Sequence, residues 1–138
     1  MANICITEFI IVGRRESLEK LKNFLEKVHN KVEKDSYTLY NSLEELGVDY
    51  SGLDFNRRAS LVDIFITQYD RPDTLSIDNA LVFTTESAWT APIEMISMIM
   101  DALQLKEDTS VNYIAEEPDC NYWEFRNPDN VFEVSWNL

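Results

Sequence analysis

Residues 3–12 (Asn-Ile-Cys-Ile-Thr-Glu-Phe-Ile-Ile-Val) carry β-branched or apolar side chains at most positions, and Gly13 closes the run. Successive side chains of a strand point to opposite faces, so this run suits a strand buried on both sides or central in its sheet. From Glu16 the period changes. Leu18, Leu21, Phe24, Leu25, Val28 and Val32 recur at helical spacing, with Lys and Glu opposite. Glu16 and Lys20 add an i,i+4 pair worth about 0.2–0.5 kcal/mol. A strand feeding a long amphipathic helix commits the chain to layered α and β structure, because the helix must bury its stripe against something.

The remaining pattern is read on that basis. Residues 36–46 predict a shorter helix with Leu39, Leu43 and Leu46 as its buried stripe. Asp35 or Ser36 can cap its start, and Gly47 suits a left-handed C-terminal position. Residues 48–58 read as loop. Residues 61–69 and 79–86 predict two strands joined through the polar stretch at 70–76, hence an antiparallel hairpin. Thr90 is placed to cap a second long helix, with Pro92 tolerated in its first turn and Ile93, Ile96, Ile99, Met100 and Leu103 on its core face. Residues 110–116 alternate as a strand, and 122–125 and 131–136 are further strand candidates. The expected fold is α+β: a ferredoxin-like βαββαβ antiparallel sheet with helices on one face, an inserted short helix after the first helix and a β-rich C-terminal extension. Residues 1–138 are expected to form one domain, since no repeat or linker divides them and the length supports one core.

Several stretches carry a resemblance. The opening Met1-Ala-Asn-Ile-Cys5 leads through an apolar strand to Val12-Gly13 and a Lys/Glu-rich helix; Phe83 to Ile96 contains Trp89 and Pro92; and Tyr113-Ile-Ala-Glu116-Glu-Pro-Asp-Cys-Asn-Tyr122-Trp runs from a strand through an acidic turn to an aromatic strand. These resemble the YubB-type ferredoxin-like domain of bacterial, plasmid and phage proteins. That family opens Met-Pro-Asn-Trp-Cys and has a Trp-Ser-Pro-Pro turn before its second helix. Asn3, Cys5, Gly13, Trp89 and Pro92 match; Ala2, Ile4 and Ala91 depart, and Pro118-Asp119 stands where a glycine is expected. Residues 35–78 are unmatched. The resemblance implies the ferredoxin-like fold and supplies no activity.

Charge narrows the partners. The formal net charge is −13, distributed as +2 over residues 1–34 and −15 over residues 35–138. Such a balance disfavours direct binding to nucleic acid or to anionic membranes, and its simplest role is solubility. The apolar stretches at 9–12 and 93–100 are too short or interrupted to span a bilayer. No basic residue precedes the first apolar run, so no signal peptide is read and a cytoplasmic location is expected. Cys5 and Cys120 are expected as free thiols, with no CxxC or Cys/His grouping.

Few residues offer chemistry. Gly13, Gly47 and Gly52 are too dispersed for a phosphate loop, and the lone His29 lies beside the apolar stripe of the first helix, where a boundary or surface histidine is the plain reading. Asp70, Asp73 and Asp78, like Glu116, Glu117 and Asp119, read as solvated acidic loops rather than cation sites, because neither has a cation-loop pattern. Neither cofactor nor metal is called for, and no catalytic residue is assigned. Met95, Met98 and Met100 could form an adaptable surface, though flanking the helix core explains them more simply. Trp89, Trp123 and Trp136 are explained either as core filling, the simpler account, or as partner anchors.

The candidate binding surface is Trp89, Glu116, Glu117, Tyr122 and Trp123. The expected function is a non-enzymatic protein-binding or interaction module, using a sheet face or edge strand to meet a protein, another copy of the chain included. Two alternatives stand beside it: an acidic decoy of a DNA-binding protein, and a small-ligand binder or enzyme with an acidic site near Glu116 and Glu117.

Overall fold

The structure is a computed structural model that describes residues 4–32, 43, 45–48, 59–70, 77–88, 91–117, 122–129 and 131. In chain order the elements are β1 (Ile4–Gly13), α1 (Arg15–Val32), β2 (Ala59–Asp70), β3 (Ile77–Ala88), α2 (Ile93–Ala102), β4 (Thr109–Glu117) and β5 (Tyr122–Arg126). The strands form one five-stranded sheet in the order β2-β3-β1-β4-β5, antiparallel at every pairing. The expected α+β class is what the chain adopts, in an arrangement compatible with a ferredoxin-like fold.

β1 is the central strand, as its apolar run requires. Its two faces are not equally buried. Cys5, Thr7, Phe9 and Ile11 point into the core, while Ile4 and Ile6 on the other face are about half exposed. Both helices lie on the first face. Leu18, Leu21, Leu25 and Val28 of α1 and Met95, Ile96, Ile99 and Met100 of α2 join one cluster with Phe9, Ile11, Leu81, Phe83 and Tyr113. In the middle of this core Phe9 stacks on Phe83 at 4.9 Å and meets Tyr113 at 5.9 Å, a row that the strand register places side by side.

The helix ends explain themselves locally. At the end of α2, Leu105 N–H donates to the Met100 carbonyl at 2.9 Å and Gln104 N–H to that of Asp101 at 3.0 Å, with Gln104 at φ 60°. That is a Schellman closure, formed here without the usual glycine. Lys20 of α1 donates to the Leu103 carbonyl at 2.9 Å, placing a cation at the negative end of α2 and tying the two helices together. Gly47 has φ 68°, and Val48 N–H reaches the Leu43 carbonyl at 3.0 Å. The predicted helix over 36–46 therefore ends where its glycine indicated; Leu43 and Glu45 are helical, and its other residues, Leu46 apart, lie outside the described residues.

Two expectations change. The residue capping α2 is Pro92, not Thr90: Ile93 begins the helix, no side chain caps it, and Pro92, having no N–H, leaves no donor unmet there. Thr90 itself lies outside the described residues, as does the strand expected over 131–136 except for Val131, which is not in a strand. Met95 and Met100 are buried and Met98 packs partly against the core, so these methionines form no free adaptable surface.

Gly13 is required by close approach. A Cβ there would stand 2.7 Å from the Asp108 carbonyl oxygen and 3.3 Å from Thr109 Cα, where β1 and β4 begin their pairing.

Candidate functional site

Two helices, each ~10 Å across, cover roughly four strands at ~4.8 Å spacing. The other sheet face receives no helix among the described residues. Its composition follows from strand parity: Ile4, Ile6, Glu8 and Ile10 from β1, Val82, Thr84 and Glu86 from β3, Ile114 and Glu116 from β4, and Trp123 and Phe125 from β5 share it.

Register orders these residues into rows across the sheet. One row reads Glu86, Ile6, Glu116, Trp123, and the next reads Thr84, Glu8, Ile114, Phe125. Carboxylates and large apolar side chains alternate along the first row, while in the second Glu8 stands beside the adjacent Ile114 and Phe125. The apolar members stand out of the surface: Ile4 is 52% exposed, Ile6 51%, Trp123 39% and Phe125 37%. The Trp123 and Phe125 rings touch, with centroids 4.9 Å apart and planes tilted by 48°. Every charged side chain placed on this part of the face by β1, β3, β4 and β5 is acidic, namely Glu8, Glu86 and Glu116.

The far end of the same face is closed differently. Asn112, wholly buried, donates from Nδ2 to the Ile10 carbonyl at 3.1 Å and to Asp129 Oδ2 at 2.7 Å, while its Oδ1 accepts from the Asp129 N–H at 3.0 Å. The turn after β5 is thereby folded back under β4. Val131 N–H donates to Asn127 Oδ1 at 2.8 Å and holds the turn itself. The sheet face is closed at this end and open where Ile4, Ile6, Trp123 and Phe125 lie.

The sequence-derived candidates divide on this geometry. Glu116 and Trp123 are brought together as a cross-strand pair on the open face. Glu117, the next residue, points to the helix side and is buried, so the two glutamates share no pocket. Tyr122 pairs through its backbone with Glu117. Trp89 lies outside the described residues, as does Trp136. Core filling does not account for Trp123, which stands on the surface beside Phe125. Ile4, Ile6 and Phe125 were missed as site residues. The signal for Ile4 and Ile6 was present in the doubly apolar run of β1, which burial in a central strand explained equally well.

On the helix side, Cys5 is the cysteine among the described residues. Cys5 is a buried free thiol. Burial pushes its pKa up, hydrogen bonds with Thr7 and Ser87 pull it down, and the charges of Glu117 and Glu124 push it up again. The thiol is held in its protonated, weakly nucleophilic form. Tyr113 donates to Glu124 Oε1 at 2.7 Å, and its own pKa is pushed up to about 12 by burial first and by Glu124 second. His29 is half-buried on α1. Among the described residues no three His, Cys, Asp or Glu side chains converge to hold a metal, and no helix is long and apolar enough to cross a membrane. Asp73 and Asp119 of the two acidic loops lie outside the described residues.

No family model matches this chain, and neither does any curated protein or solved structure.

Proposed function

We propose that this chain is a non-enzymatic protein-binding module whose open, helix-free sheet face docks a partner surface that is both apolar and basic. The observation that carries the reading is the pair of rows in which Ile6, Ile114, Trp123 and Phe125 share the face with Glu8, Glu86 and Glu116. Exposed Ile, Trp and Phe side chains grouped on one face are what protein interfaces bury at their centres. Carboxylates interleaved among them favour a partner that sets Lys or Arg between its own apolar groups, because a neutral partner would desolvate those carboxylates without compensation.

The fold reading behind it is the βαββαβ ferredoxin-like arrangement. It is supported by one helix between β1 and β2, one between β3 and β4, and by β3 lying between β1 and β2 while β1 lies between β3 and β4. β5 is then an addition at the β4 edge that supplies half of the apolar patch. Membership of the YubB-type family is proposed on the quoted motifs, and the tight seat of Gly13 gives its matched glycine a physical reason.

Tagged wild-type protein and an Ile6→Lys/Trp123→Ala variant, both checked for native circular dichroism, are compared for partner capture from the native host. A basic partner held by the wild type, released by moderate salt and lost by the variant, is the expected result. Partners held equally by both proteins would remove the reading. If the captured protein binds DNA, competition with duplex DNA is the mark of the decoy role, whereas simultaneous binding excludes it.

A further inference from the structure

Five strands exceed what two helices cover, and the surplus lies at the β4–β5 edge on the helix side. A cavity of about 510 Å³ opens there between α2 and the sheet. Its lining mixes the part-exposed Ile93 and Val111 with Ser97, Thr109 and Ser110, and the buried Phe9, Ile96, Met100 and Tyr113 stand behind them. Among the described residues the only charged side chains lining it are Lys106 and Arg126. Both are cations, in a chain that carries 12 Lys and Arg against 25 Asp and Glu. Both are exposed, and among the described residues no hydrogen bond or ion pair engages either one.

The neighbouring groups fix what this arrangement can accept. Tyr113 lines the cavity and donates its hydroxyl hydrogen to Glu124, while Arg126, the cross-strand partner of Tyr113, forms no ion pair among the described residues. The Thr109 hydroxyl also lines the cavity and is committed to the Leu105 carbonyl at 2.6 Å. A pocket of this size binds a small molecule through its apolar lining, and a few polar or charged groups select the head group. A guanidinium presents paired donors that match a carboxylate, and the second cation adds charge without geometric demand.

We infer that this cleft is a binding site for a small amphipathic monocarboxylate, its apolar body against Ile93 and Val111 and its carboxylate at Arg126 and Lys106. The site lies on the face of the sheet opposite the proposed protein-docking surface and does not depend on it.

The probe is decanoate below its micelle concentration, followed by methyl NMR of the isoleucines and methionines. Saturable shifts are expected at Ile93, Ile96 and Met100. Affinity is expected to fall tenfold or more for decanol, and by a similar factor in the Lys106→Gln/Arg126→Gln variant. A Lys22→Gln/Lys27→Gln variant removes the same charge elsewhere and should bind within twofold of wild type. No saturable shift, equal binding of decanol, equal loss in the two variants, or shifts confined to Ile4 and Ile6 would each overturn the assignment. Only the last of these touches the sheet face, and loss of a protein partner in the Ile6→Lys/Trp123→Ala variant bears on that face alone.

Discussion

At the scale of single residues, the clearest electrostatic signature belongs to Tyr113. Its ring packs beside Phe9 and its hydroxyl donates to Glu124. Burial and the adjacent carboxylate both oppose ionisation, raising its pKa from 10.0 to about 12 in the fold, with Arg126 opposing that rise in part. The folded state therefore favours the protonated phenol. Its contribution is complete below pH 10 and is lost as pH climbs from 10 towards 12, where the unfolded chain has already ionised. Urea denaturation at pH 9 and pH 11.5 should show a larger fall in stability for the wild type than for Tyr113→Phe. Equal falls would show that the hydroxyl titrates as in the unfolded chain. None of this was legible in the sequence, because Tyr113 reads there only as one apolar position of an alternating strand. The neighbour that matters, Glu124, arrives through the β4–β5 pairing.

At the scale of elements, periodicity identified what local physics controls. α1 was expected from Glu16 and begins at Arg15; the strands expected at 61–69, 79–86 and 110–116 are present and run slightly further, and the one expected at 3–12 is described from Ile4 to Gly13. Long amphipathic periods and β-branched runs survive tertiary context because the same side chains that set them also form the core. Helix ends were less legible. Gly47 announced its left-handed cap, whereas the equivalent position after α2 is Gln104, with nothing in its type to announce φ 60°. A left-handed non-glycine residue is strained, and Gln104 is exposed, so no packing recommends its side chain. Gln104→Gly should stabilise the protein by about 0.5–1 kcal/mol, the relief of strain exceeding the entropy that glycine adds to the unfolded chain. Thermal or urea unfolding measures it directly. A loss of stability would mean that Gln104 makes a contact worth more than its strain. The binding surface was legible only in part, for a related reason. Sequence alternation shows which residues share a face of one strand, but only the register across β3-β1-β4-β5 shows that Ile6, Glu116 and Trp123 form a row.

At the scale of the whole molecule, an exposed apolar face has to be reconciled with a chain that must not join copies of itself indiscriminately. Edge pairing and face pairing are the standing hazards of open sheets. Here Glu8, Glu86 and Glu116 stand among the apolar residues, and the chain carries a net charge of −13 with a sequence pI near 4.3. Two such faces brought together at neutral pH would set carboxylate against carboxylate, and the overall charge repels the molecules before they meet. On the proposed reading, the same carboxylates that favour a basic partner disfavour a second copy. Acidification towards the sequence pI near 4.3 removes the net charge that keeps copies apart, while the apolar groups keep their drive to leave water. Sedimentation velocity should therefore show a monomer at pH 7.5 and self-association as pH approaches 4.5, with circular dichroism confirming that the fold persists. An Ile6→Ser/Phe125→Ser variant, which keeps every charge and loses two apolar groups of the face, should remain monomeric at the lower pH. Association of the variant to the same extent would show that charge neutralisation alone drives it, and that this face is no more adhesive than the rest of the surface.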